Sequence, residues 1–191
     1  VTDRGNGVLE ASSLMERAVE GSDGAVSTER VEDGVAAFTN RFTLVESAFA
    51  IRAGKSLDNR SGDRARDLVS GEFVAELRPV TPGAPMPQEA TVDDEGPVAS
   101  VSNAGDAFVF SDIVFDNTMD GETFQYRIAE RRVDGASDGV TYDGGVYYAT
   151  VTVHVSEANE VAISRTYTDS TGKEVVDELG GNVSPTFHNA Y

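Results

Sequence analysis

Short segments in which apolar and polar residues alternate dominate the sequence from Phe42 onward, and they constrain the fold more than any other feature. The segments are rich in Val, Thr, Phe and Tyr and are separated by clusters of Gly, Asp, Asn and Pro. Alternation with a period of two is typical of strands that bury one face. The sequence therefore predicts an all-β protein, an immunoglobulin-like antiparallel β-sandwich. The predicted strands are residues 43–51, 71–79, 107–115, 123–132, 146–156, 161–168 and 186–191.

The stretch from Arg78 to Gly105 does not fit this alternation, because it contains five prolines and several acids. Proline cannot donate to a ladder of backbone hydrogen bonds, so it is rare inside central strands. We therefore predict that this stretch is mainly a surface connection.

Residues 1–42 are less periodic, and residues 14–19 fit either a helical turn or a strand. The pattern aromatic, x, Asn, x, aromatic occurs both at 38–42 and at 187–191. This spacing suggests tandem modules, with 1–42 the last strands of a preceding, incomplete module and 43–191 the complete domain. The alternative is an N-terminal extension docked on one domain. The first residues resemble neither an initiator nor a signal peptide, so we expect a piece of a longer protein.

Composition excludes several classes of function. The net charge of −18 over 191 residues disfavours nucleic acid and anionic membrane surfaces as partners. The absence of cysteine excludes disulfides, thiolate metal sites and a cysteine nucleophile. No apolar run reaches the length that membrane insertion requires. No motif indicates a cofactor or a metal.

Three polar residues occupy strand positions whose in-phase neighbours are apolar. Residues two apart share a face of a strand, so each side chain should point inward with its neighbours. Lys55, one of two lysines in the chain, follows Ile51 and Ala53 in phase. Glu130 follows Phe124, Tyr126 and Ile128, and Asn189 lies between Phe187 and Tyr191. Each residue alone is more simply explained as a solvated or capping residue at a strand end. Because an unpartnered buried charge is prohibitive, three such coincidences favour a shared site.

A buried lysine, glutamate and asparagine together permit one specific reaction. Burial favours the neutral amine of Lys55 and the protonated carboxyl of Glu130. Protonated Glu130 could hydrogen-bond the side-chain carbonyl of Asn189 and make its carbon more electrophilic. Lys55 would then attack that carbon, and ammonia would leave. The sequence thus predicts a Lys55–Asn189 amide cross-link promoted by Glu130.

Several strings, taken in order, resemble the streptococcal pilin isopeptide-linkage domain of Gram-positive pili and adhesins. They cover about residues 43–191 and are Ala53–Leu57, Gly71–Leu77, Phe108–Phe110 with Ile113–Phe115, Phe124–Glu130, Tyr142-Asp143 and Phe187–Tyr191. The resemblance implies a CnaB-type sandwich whose first-strand Lys is bonded to a last-strand Asn with help from a central-strand Glu. These roles fall on Lys55, Asn189 and Glu130.

The resemblance also implies a structural module, not an enzyme, whose only chemistry is a single autocatalytic turnover. It implies an extracellular, cell-wall-anchored location on a Gram-positive bacterium. The expected partners are neighbouring modules, sortase-linked pilus subunits or a host ligand. The sequence shows no sorting motif, which leaves shaft, tip and non-pilus parents open. Asn40 matches the terminal Asn of a preceding module and should be unbonded here. Lys173 could serve as a polymerisation lysine, but the sequence 169–173 is typical of a hairpin turn.

Other functions remain as alternatives. A pair of acids could act as a hydrolase, although most acids lie in turn sequences with Gly and Asn. The acidic loops 116–122 and 134–143 could bind calcium, but neither has the EF-hand spacing. His154 and His188 should face solvent. A β-sandwich that binds a host ligand without any cross-link is the main alternative.

Overall fold

The computed structural model describes residues 43–59, 65–132 and 139–191, together with short strands within residues 1–42. The chain divides into two compact units, Val1–Thr43 and Leu44–Tyr191.

The described strands of the first unit form two short antiparallel pairs. Strands β1 (Thr2–Asp3) and β2 (Leu9–Glu10) form one pair, and β3 (Glu16–Glu20) and β4 (Val26–Arg30) form the other. Of the two structures expected near residues 14–19, the strand is therefore correct. The repeated pattern at 38–42, with Asn40, lies outside the described residues, so the assignment of 1–42 to a preceding module stays a prediction.

The second unit is built from strands and one turn of 3-10 helix, Asn117–Met119, within the residues described. In chain order the strands are β5 (Glu46–Phe49), β6 (Arg52–Asp58), β7 (Val74–Pro79), β8 (Thr91–Asp93), β9 (Gly96–Ser102), β10 (Ala107–Val109), β11 (Ile113–Asp116), β12 (Thr123–Arg131), β13 (Val146–Val155), β14 (Val161–Asp169) and β15 (Thr186–Ala190).

These strands form two layers around one core. One layer is an antiparallel six-stranded sheet in the order β14-β13-β12-β7-β9-β8. The other contains the three-stranded sheet β10-β6-β15 and the pair β11-β5. Aromatic rings join the layers: Tyr147 meets Phe187 with ring centroids 5.3 Å apart, and Phe115 meets Phe124 at 5.6 Å. The predicted all-β, immunoglobulin-like sandwich is confirmed.

Most predicted strands are confirmed, with ends that shift by up to three residues. The predicted strand 107–115 is broken into β10 and β11, where the chain passes from one pairing to another. The predicted strand 43–51 contains only β5, and β6 begins at Arg52, beyond the predicted end. Strand β10 pairs with β6, whereas β11 pairs with β5. A hydrogen bond from Phe110 N to the Ile51 carbonyl (3.1 Å) marks the break. The layer opposite the six-stranded sheet is thus made of two short pieces.

The prediction that Arg78–Gly105 contains no central strand is wrong. Strand β9 lies between β7 and β8, and its residues Val98 and Ala99 are buried. Its pairing with β7 begins only at Ala99, which opposes Leu77, so Pro97 lies beyond that ladder. The missing N–H of Pro97 therefore costs no bond to the central strand. Pro82, Pro85 and Pro87 do lie in a connection, whereas Pro79 is the last residue of β7.

The predicted turn at 169–173 is confirmed. Gly172 N donates to the Asp169 carbonyl, and Asp169 N donates to the Lys173 carbonyl. Lys173 is exposed on this turn.

Candidate functional site

Lys55 lies on β6 with its side chain completely inside the sandwich. Its neighbours at alternate positions, Ile51 and Ala53, are buried core residues. Lys55 Nζ lies 3.1 Å from Glu130 Oε1 and donates to the Phe187 carbonyl at 3.4 Å. It also lies over the Phe73 ring, 4.5 Å from the centroid. In place of water, the ammonium therefore contacts the Glu130 carboxylate, the Phe187 carbonyl and the face of the Phe73 ring.

Glu130 reaches the same point from the opposite layer, near the end of β12. Its side chain is fully buried, as the alternation with Tyr126 and Ile128 predicts. Glu130 Oε1 accepts a hydrogen bond from Asn189 Nδ2 at 3.1 Å in addition to the Lys55 contact. Oε2 makes no hydrogen bond with the described residues. One carboxylate oxygen therefore contacts both nitrogens of the site.

Asn189 lies on β15 and is completely buried. While its Nδ2 faces Glu130, its Oδ1 accepts from the backbone N–H of Asp143 at 2.7 Å. We expected Glu130 to hydrogen-bond the Asn189 carbonyl, and this detail is wrong. The carboxyl lies at the amide nitrogen, and the carbonyl oxygen accepts from the backbone N–H of Asp143, a residue to which sequence reasoning assigned no role in the cross-link.

The pairing of β6 with β15 brings Lys55 and Asn189 together. The two strands are parallel, with Lys55 opposite Phe187 and Leu57 opposite Asn189. Gly54 permits this approach, because a Cβ there would lie 2.5 Å from Thr186 Oγ1. Residues at the two ends of the domain thus become diagonal neighbours on one face.

Burial drives both titratable groups toward their neutral forms. It lowers the pKa of the Lys55 ammonium, and the nearby Glu130 and Asp143 charges oppose this only in part. It raises the pKa of the Glu130 carboxyl, although the Lys55 charge and the hydrogen bonds from Lys55 and Asn189 act the other way. A neutral amine beside a carboxyl is the state that nucleophilic attack on an amide requires.

The other candidate sites have less support. Among the described residues, no group of three or more His, Asp or Glu side chains is arranged to hold a metal. In the loop 116–122, Asp116 accepts from Thr118 N and Asp120 accepts from Val155 N, so both carboxylates bind backbone. Part of the loop 134–143 lies outside the described residues. His154 and His188 are exposed, as predicted.

The fold and the site define a β-sandwich module with a buried Lys–Glu–Asn cluster between its layers. Residues 51–191 match the family model described as FctA, Spy0128-like isopeptide containing domain. The chain belongs to this family. No curated protein sequence matches the chain.

Solved pilin structures from Streptococcus pyogenes are similar to the chain. The major pilin is 18% identical over 74% of this chain and 50% of its own, with a TM-score of 0.44. The T-13 major pilin is 17% identical over 78% of this chain and 53% of its own, also with a TM-score of 0.44. The chain spans about half the length of these pilins.

Among the residues that the structure describes, no helix has the length and apolar character needed to cross a bilayer.

Proposed function

We propose that this chain is a structural module of a pilin or adhesin stalk on a Gram-positive cell surface, stabilised by an intramolecular isopeptide bond between Lys55 and Asn189. One observation carries the proposal. In a member of an isopeptide-containing domain family, Glu130 Oε1 lies 3.1 Å from both Lys55 Nζ and Asn189 Nδ2 in a fully buried site. The nucleophile, the proton carrier and the leaving nitrogen are already in contact.

The reaction is an exchange of one amide for another. A proton passes from the Lys55 ammonium to the Glu130 carboxylate, which leaves a neutral amine. Its lone pair attacks Asn189 Cγ, and the carbonyl electrons move to Oδ1. Glu130 then relays a proton from Nζ to Nδ2, the Cγ–Nδ2 bond breaks and ammonia leaves. The folded chain holds the reactants in place, so proximity replaces an external catalyst.

The product stays in the chain, since the lysine and the asparagine are both consumed. The module is therefore not an enzyme with an outside substrate but a protein that reacts once with itself. Its partners are neighbouring modules of the same polypeptide and, in a pilus, subunits joined by sortase. The expected location is the cell wall of a Gram-positive bacterium, as membership of a pilin-like isopeptide domain family suggests.

We also propose that residues 43–191 form the cross-linked domain and that residues 1–42 are strands of a preceding module. The compact unit Leu44–Tyr191 and the family match over 51–191 support this boundary. Limited proteolysis that removes residues 1–42 and leaves a folded, cross-linked remainder would agree with it. A remainder that unfolds would contradict it.

Intact mass tests the cross-link directly, because one internal amide removes one ammonia. The wild-type protein should be lighter than its sequence mass by one ammonia, and Glu130→Ala should have the full mass. Glu76→Ala is the matched control: Glu76 lies on the neighbouring strand β7 and pairs with Arg78 and Arg131, away from the site. It should still lose ammonia.

Tryptic mapping of the wild type should yield one branched peptide that joins Lys55 to Asn189. A wild-type protein of full mass would contradict the cross-link and favour a plain β-sandwich that binds a ligand.

A further inference from the structure

The segment Thr141–Gly145 lies against the last strand on both sides of Asn189. Thr141 N donates to the Ala190 carbonyl at 2.7 Å, and Ala190 N donates back to Thr141 at 2.9 Å. On the other side of Asn189, His188 N donates to Asp143 Oδ2 at 2.8 Å. The residues before and after Asn189 are therefore both tied to this segment.

Asp143 is held at both ends of its side chain. Oδ2 accepts from His188 N, and Oδ1 accepts from Gly145 N at 2.7 Å. Gly145 favours this close approach, because a Cβ there would be in tight contact, 3.0 Å from Asp143 Oδ1 and 3.1 Å from the Tyr147 ring. The Asp143 carboxylate therefore links His188 on β15 to Gly145, which directly precedes β13, and we call this pair of hydrogen bonds the brace.

The brace fixes the direction of one backbone donor. With the side chain anchored on both sides, the Asp143 N–H points at Asn189 Oδ1, at 2.7 Å. That oxygen gains negative charge when an amine attacks Cγ. A fixed N–H at such an oxygen is what an oxyanion hole supplies, and it needs no reorganisation during the reaction.

We propose that Asp143 supplies the oxyanion donor for cross-link formation through its backbone N–H, held in place by its own carboxylate. The inference rests on the proposed Lys55–Asn189 bond and assigns separate roles in its formation to Glu130 and Asp143. Glu130 transfers protons between Lys55 Nζ and Asn189 Nδ2, and the Asp143 N–H stabilises the charge on Asn189 Oδ1. As Lys55 Nζ bonds to Cγ, the electron pair that moves to Oδ1 is stabilised by the Asp143 N–H. It returns to the carbonyl as the bond to Nδ2 breaks and ammonia departs.

The test is the rate of cross-linking in freshly synthesised full-length chain, followed by intact mass as ammonia is lost. Asp143→Ala keeps the N–H but removes the brace, so cross-linking should slow by about tenfold or more, toward the 10²–10³-fold that loss of an oxyanion donor costs. Asp143→Asn keeps an oxygen for only one of the two anchoring N–H groups, and its rate should be intermediate.

Asp177→Ala is the matched control, because Asp177 Oδ1 accepts from Leu179 N and Gly181 N and makes no bond to the three site residues. It should cross-link at the wild-type rate. Circular dichroism of each uncross-linked fraction separates slow chemistry from failed folding. If Asp143→Ala does not fold, the rate of Asp143→Asn decides.

The outcomes distinguish this inference from the one on which it rests. Cross-linking of a folded Asp143→Ala chain at the wild-type rate would overturn the role of Asp143 and leave the Lys55–Asn189 bond intact. A wild-type chain that never loses ammonia would overturn both.

Discussion

Burial turns Lys55, Glu130 and Asn189 from ordinary polar side chains into a reactive group. In water, the ammonium and the carboxylate would both be charged at neutral pH, and neither would attack or protonate an amide. Inside the sandwich, both are removed from solvent, and their pKa values move toward each other. The same burial is costly when a partner is missing.

Replacement of Lys55 should therefore make the folding stability depend on pH through the buried Glu130 carboxyl. In Lys55→Met the folded pKa of Glu130 stays above its ordinary value of 4.5, because burial remains and the opposing lysine charge is gone. The folded state then binds more protons than the unfolded state. The stability of the variant is therefore greatest below pH 4.5, the ordinary pKa, and falls as pH rises from there through the raised pKa of the folded state. Melting temperatures from about pH 4 to about pH 8 should show this fall.

The double variant Lys55→Met/Glu130→Gln is the control for this prediction. It also lacks the cross-link, but no carboxyl titrates at the site. A fall of equal size in both variants would show that other groups cause the pH dependence.

At the scale of elements, the parallel pairing of β6 with β15 positions the site. The other strand pairs among the described residues are antiparallel, whereas this parallel pair joins strands from opposite ends of the domain. Gly54 is the residue that lets the two backbones approach beside Lys55. Overpacking at such a point forces a shift of backbone or side chain.

Gly54→Ala should consequently weaken the last strand. The new Cβ would meet the Thr186 hydroxyl, and the expected cost is about 1–3 kcal/mol of unfolding free energy. Urea unfolding in an Asn189→Ala background, where no cross-link can form, measures it. Thr186→Ala should recover part of the loss when combined with Gly54→Ala. A double variant whose cost equals the sum of the two single variants would contradict this steric explanation.

At the scale of the whole molecule, the cross-link would connect β6, the central strand of the three-stranded sheet, to β15, the last strand of the chain. Because the loop it closes contains most of the domain, the chain-entropy model gives roughly 5 kcal/mol of stabilisation. Tension that enters before Lys55 and leaves after Asn189 would pass through the covalent bond and bypass the residues between them.

Pulling on the two ends of the chain should reveal this bypass. The wild type should show no extension from the residues between Lys55 and Asn189 at any force that leaves covalent bonds intact. Glu130→Ala should show an additional unfolding event of roughly 450 Å, at about 3.4 Å for each residue released. Single-molecule force spectroscopy measures both lengths. The same event in the wild type would show that load does not pass through a Lys55–Asn189 bond.

Local alternation along the chain determined the fold class and the inward direction of Lys55, Glu130 and Asn189. A period of two depends only on neighbouring residues, so it can be read without knowing which strands pair. The turn at 169–173 was predictable for the same reason. Pro82, Pro85 and Pro87 were also interpreted correctly as part of a connection. Pro97 was misinterpreted, because a proline is tolerated there only since the pairing with β7 begins after it, at Ala99.

Tertiary structure alone decided which groups meet. The parallel register of β6 and β15, the place of β9 inside the sheet and the break between β10 and β11 depend on pairings between segments far apart in sequence, which local patterns do not encode. Asp143 shows this most clearly. Its sequence, Asp followed by two glycines, indicates a turn and nothing more. Only the packing of that turn against β15 places its N–H on Asn189, because the contact joins residues that no local period relates.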